Sequence, residues 1–130
     1  MDSKITVDAH SLIWFLDADL KYKLSDSALK AIRKAQEESL VYIPIIAIME
    51  IVYLIERGRI NTSFDNFMSA IEINRNFQII PLNTELLKIA ISLQGLEIHD
   101  RLILATAIMI DSILVSKDMT IRAKGVNVIW

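Results

Sequence analysis

Short continuous apolar runs alternate along this chain with segments whose apolar residues recur every three or four positions. These are the periods of buried strands and of amphipathic helices. Ile5–Val7 is the first run, followed by a helical pattern over His10–Leu16. Ser25 is placed to cap a second helix to about Glu38, with Leu29, Ile32 and Ala35 as its apolar stripe. Leu40–Ile43 reads as the next strand. Pro44 suits the first turn of a third helix, and Gly58 the C′ position that ends it. Thr62 with Asp65 makes a capping box for a helix to about Asn74. Phe77–Ile80 forms a strand closed by Pro81, and Asn83 or Thr84 caps a helix through Leu93. Beyond Gly95, Asp100 opens a helix to about Asp111, and Ile113–Val115 and Val126–Ile129 complete five strands. Strands separated by helices need right-handed crossovers, so the pattern predicts an α/β domain with a mostly parallel sheet.

Composition adds one feature to that picture. No repeat, linker or low-complexity tract divides the chain, and its 130 residues make one domain, 1–130. The hydrophobic share is 53%, and exchanging its three Tyr for the three uncounted Gly leaves it there, above the usual ~45–50%. A small domain has little interior to hide the surplus, so an apolar face covered by a second copy is expected. A net charge of −2 supplies no broad basic field for non-specific nucleic-acid binding. With no Cys, disulfides, thiolate zinc sites and thiol nucleophiles are all excluded. The longest apolar run, Ile43–Ile55, is broken by Glu50 and falls short of the ~20 residues of a membrane span. No basic-then-apolar leader opens the sequence, and a cytoplasmic protein is expected.

The candidate chemistry lies in the acids. In an open parallel sheet, ligands gather outside the carboxyl ends of the strands. Asp8 follows the first strand and Asp118 the fourth, so both belong at that edge. Asp100 heads a helix, where the N-terminal N–H groups favour a carboxylate. Glu50 is the one charged residue in PIIAIMEIVYLI, and its burial costs several kcal/mol unless it is paired, protonated or bound to a cation. Four carboxylates from four segments repel one another, and a divalent cation supplies a reason for them to meet. Oxygen ligands suit Mg²⁺ or Mn²⁺, whereas two His and no Cys argue against zinc.

The segments VDAHSLIWFL (7–16), IAIMEIVYLIERGRI (46–60), IHDRLILATA (98–107) and VSKDMTI (115–121) carry a resemblance, continued by the final VNVIW. They are similar to the four acidic motifs of the PIN domain, in particular to the VapC-type toxins of bacteria and archaea. The resemblance implies a three-layer, Rossmann-like fold and a Mg²⁺- or Mn²⁺-dependent endoribonuclease, usually dimeric and inhibited by a co-encoded VapB-type antitoxin. It assigns Asp8, Glu50, Asp100 and Asp118 to the active site, with Ser116 and Ser11 as accessory hydroxyls. Ala9 departs from the pattern, since many relatives carry a hydroxyl residue there.

For phosphodiester hydrolysis, Asp8, Asp100 and Asp118 are the expected metal ligands, and Glu50 ligates a second ion or handles the attacking water. Arg57, Arg59, Arg101, Lys117, Arg122 and Lys124 are candidates for a phosphate-binding rim. Trp14, Trp130 and the Met residues read as core or interface packing. His99-Asp100 lacks the further His residues of an HD phosphohydrolase, and VDAH lacks the second acid of a dehalogenase-type phosphatase or a receiver domain. No G-x-S-x-G elbow is present. Two other readings remain: a PIN-type nuclease acting on DNA or in rRNA processing without an antitoxin, and a non-catalytic partner-binding module.

Overall fold

The computed structural model describes residues 4–124 and 127–130. In chain order the elements are β1 (Ile5–Val7), α1 (Ala9–Leu16), a 3₁₀ turn (Lys21–Lys23), α2 (Asp26–Glu38), β2 (Val41–Pro44), α3 (Ile45–Glu56) and α4 (Phe64–Glu72). They continue as β3 (Phe77–Ile80), α5 (Thr84–Ile91), α6 (Ile98–Ile110), β4 (Ile113–Val115), α7 (Met119–Arg122) and β5 (Val128–Ile129).

All strand pairs are parallel, in the order β3-β2-β1-β4-β5. The central strand is covered on both faces, which explains why Ile5, Thr6 and Val7 are all buried. Thr6 is tolerated there because its hydroxyl shares a hydrogen bond with Ser112. Successive strands step from β1 to β3 in one direction, then jump back past β1 to β4 and β5. Right-handed crossovers therefore send helices to opposite faces, giving helix–sheet–helix layers. α2 packs across β1, β2, β4 and β5, and α6 across β1, β2 and β4. The reversal point lies between β1 and β4, where a doubly wound sheet opens its ligand crevice.

Ile5, Leu12, Ile43, Ile51, Leu104 and Leu114 anchor the main core at 2% exposure or less, each worth about 1.5–3 kcal/mol by burial. A smaller cluster of Leu86, Ala90 and Ala105 joins α5 to α6. Among the described residues, no helix is long and apolar enough to cross a membrane.

Several boundaries differ from the sequence expectation. Ser63, not Thr62, caps α4 by accepting the Asn66 N–H, and the helix stops at Glu72 rather than Asn74. Glu97, not Asp100, caps α6, so Asp100 falls in the first turn. The second strand runs from Val41 to Pro44, and Pro44 also caps α3. Gly58 does sit past the end of that helix with φ +70, a conformation open to glycine at little cost. α5 ends at Ile91, before Leu93. α7 was not legible as a helix, and the expected start of the last strand, Val126, lies outside the described residues.

Candidate active site

Asp8 and Asp118 occupy equivalent places, each in the loop that leaves a central strand and each capping the helix that follows. Asp8 Oδ1 accepts the Ser11 N–H at 2.9 Å. Asp118 Oδ1 accepts from Thr120 N at 2.8 Å and Ile121 N at 3.3 Å. In both, capping fixes the side chain through one oxygen, and the second oxygen takes no part in the cap. Two buried serines brace these loops. Ser11 Oγ donates to the Val115 carbonyl at 3.2 Å, tying α1 to β4, and Ser116 Oγ accepts from Asp118 N at 3.1 Å. Each hydroxyl bonds to backbone, Ser11 as donor and Ser116 as acceptor.

Asp100, from the first turn of α6, and Glu50, from the middle of α3, complete the group. Asp8, Glu50, Asp100 and Asp118 line one cleft of about 440 Å³ together with Ala9, His10, Trp14, Ile103 and Lys117. A smaller hollow of about 250 Å³ between α1, α3 and α4 has Asp17 as its one carboxylate. The charge chemistry is therefore concentrated in the larger cleft.

The electrostatics record the crowding. The Glu50 carboxyl is pushed up from 4.5 to about 7, first by burial; His99 opposes the rise, and the charges of Asp100, Asp8 and Glu97 add to it. Asp100 rises from 3.8 to about 6, again first by burial, then by the charges of Asp118, Glu97 and Asp8 and a hydrogen bond with Asp118. Glu50 Oε1 is buried and has no hydrogen-bond partner. A bare buried acceptor among other acceptors is a place that a cation would fit. Among the described residues no three His, Cys, Asp or Glu side chains form a ready-made cage. Mg²⁺ is usually held by one or two carboxylates, with water and phosphate completing its shell.

A family model described as PIN domain matches residues 5–126, which include all four acids. The chain belongs to the PIN domain family. None of the curated proteins compared matches it. Among solved structures, VapBC2 from Rickettsia felis bound to a promoter DNA fragment aligns with 16% identity over 97% of each chain, at a TM-score of 0.70. A toxin–antitoxin complex from Klebsiella pneumoniae aligns at the same TM-score of 0.70, with 21% identity over 97% of this chain and 96% of that one. The Mycobacterium tuberculosis toxin VapC20, described as cleaving the sarcin–ricin loop, aligns with 14% identity over 94% and 95% of the chains, at a TM-score of 0.65. At these identities the likeness establishes the fold.

In this PIN domain the basic candidates scatter. Of the six, Lys117 alone lines the cleft. Arg57 donates to the Tyr53 hydroxyl at 2.8 Å, Arg101 Nε to the Leu96 carbonyl at 2.7 Å, and Arg122 reaches Met119 Sδ at 3.4 Å. Lys124 donates to the Gln94 carbonyl, and Arg59 is exposed in the loop after α3. Trp14 and Trp130 do pack on each other, with ring centroids 5.9 Å apart. Trp14 also walls the cleft, as does His10, and the sequence reading gave neither a role at the site. The available signal was their spacing of four from each other, beginning two residues beyond Asp8.

Proposed function

We propose that this PIN domain is a Mg²⁺- or Mn²⁺-dependent endoribonuclease and the toxin of a toxin–antitoxin pair, with residues 1–130 as one catalytic domain. The observation that carries the catalytic part is the bare Glu50 Oε1 in a cleft shared with Asp8, Asp100 and Asp118. Glu50 and Asp100 resist ionisation there, and each costs stability at neutral pH unless a cation offsets it. Asp8, Asp100 and Asp118 would hold the ion, one or two of them directly, with Glu50 beside it. When bound, such an ion supplies a Lewis acid for phosphate oxygens and an activated water at neutral pH. Asp8 and Asp118 contribute rigidity, because their caps hold them before any ligand arrives. Glu50 has its raised value of about 7 in the metal-free protein; a cation beside it would favour the ionised form, which can accept a proton from water. Lys117 is placed to meet a phosphate at the rim.

The toxin part rests on likeness to the VapBC2 and Klebsiella complexes. A small VapB-type antitoxin is accordingly the proposed partner, and the cytoplasm the proposed location. A homodimer is proposed on the exposed apolar side chains of Leu82, Leu87 and Ile91 along α5 and the loop before it. The test is cleavage of single-stranded RNA by purified protein in Mn²⁺, abolished by EDTA. Asp100→Asn should lower it at least about a hundredfold, the scale of losing a metal ligand or its support. Undiminished cleavage by that variant would assign the activity elsewhere.

A further inference from the structure

The acid cleft poses a binding problem for a polyanion. Its lining carries four carboxylates and a single ammonium, Lys117. Ionic attraction to side chains cannot hold RNA there, and a bound cation offsets only part of the repulsion. The remaining wall offers a different kind of contact. His10 and Trp14 lie four residues apart on α1, hence on one helix face, and both line the cleft. Their ring centroids are 5.6 Å apart with planes tilted by 49°. His10 is exposed and Trp14 half-buried. Trp130 meets Trp14 edge-on and steadies it from the far end of the chain. Lys23 Nζ lies over the Trp14 ring, 5.9 Å from its centroid, so a base stacking on Trp14 must displace that ammonium or take the ring's other face.

We propose that His10 and Trp14 form a nucleobase platform, on which a base of the RNA substrate stacks while its phosphodiester faces the acids. Asp8 caps the same helix that carries both rings, so the platform and one proposed ligand are fixed to each other. Stacking is indifferent to charge and open to every base, because each has a π face. It would supply affinity where ionic contacts are lacking. The inference rests on the ribonuclease reading and deepens it.

The test uses Asp100→Asn protein in Mn²⁺, so that RNA stays intact, in a Trp130→Phe background that leaves Trp14 as the one tryptophan. Two probes are compared: a short oligoadenylate, and a phosphodiester chain of equal length without bases. The oligoadenylate is expected to quench Trp14 emission and to bind roughly 5- to 150-fold more tightly, the range that a stacked base contributes. His10→Ala, a change at an exposed residue, should shrink that ratio, read by anisotropy of labelled probes with Trp130 intact. Equal binding of the two probes overturns the platform and leaves the ribonuclease reading standing if wild type still cuts RNA. If neither probe binds and wild type leaves RNA uncut, the ribonuclease reading falls and the platform with it.

Discussion

Glu50→Gln keeps the shape of the side chain and removes its charge. In the folded protein the Glu50 carboxyl titrates at about 7 instead of 4.5, chiefly because burial penalises the ionised form. The folded value lies above the unfolded one, so the folded state keeps a proton through a window in which the unfolded state has released it. Glu50's contribution to the stability of the metal-free protein therefore falls as pH rises from about 4.5 to about 7, and is level on either side. At full strength the two values differ by about 3 kcal/mol, but Glu50 is only half-buried and water screens it, so about 1–2 kcal/mol is expected. For a domain of this size that corresponds to about 3–8 °C in Tm. Asp100 imposes a similar slope at lower pH, from about 4 to about 6, and does so in both proteins. The difference between the two curves isolates Glu50. Thermal melts in EDTA at constant ionic strength should show wild type and variant matched near pH 4 and the variant ahead near pH 8. A variant that melts below wild type at pH 8, or a pH-independent difference, would refute the reasoning.

Asp118→Asn should be at least as stable as wild type without metal, since Asn caps a helix as well as Asp and relieves repulsion with Asp100; Asp118→Ala should lose about 1 kcal/mol with the cap. Mn²⁺ at a hundred times its Kd should stabilise wild type by about 2.7 kcal/mol, and Asp118→Asn clearly less, in melts with and without the ion. Light scattering at micromolar concentration should give twice the mass of the 14.8 kDa chain, and Leu87→Asp should reduce it towards one.

The parallel sheet was legible because each strand is a continuous apolar run bounded by turn or cap residues. Ser25, Asn83 and Gly58 stood where the helix ends needed them. The two misplaced caps share a cause. Thr62 and Ser63 are both able caps, Glu97 takes the cap although Asp is the better capping type, and in both cases the path by which the chain enters the helix decides. α7 is four residues long and held by Asp118, too short for periodicity to register. Asp8 and Asp118 could be read because strand ends set their position, Asp100 because it stands at a helix start, and Glu50 because it is the lone charge in an apolar run. The basic rim could not, since long side chains on exposed surfaces turn to whatever acceptor is near, as Arg101 does to Leu96. Trp14 was assigned to packing because helical spacing reports which face a residue is on, not whether a cleft opens beside it.

The strand order has a consequence for how the protein comes into being during synthesis. β1, made first, lies at the centre of the sheet, and its second neighbour is β4, with Ile5 opposite Ile113. Contacts so distant along the chain close late and slowly. Asp8 leaves the ribosome early but faces open solvent until β4 docks beside β1 and brings Asp118 with it. Any shortened product that ends before Ile113 leaves that edge of β1 unpaired and lacks Asp118. For a proposed nuclease made among the cell's own RNAs, the topology acts as a timing device: the cleft cannot close before almost the whole chain has been translated.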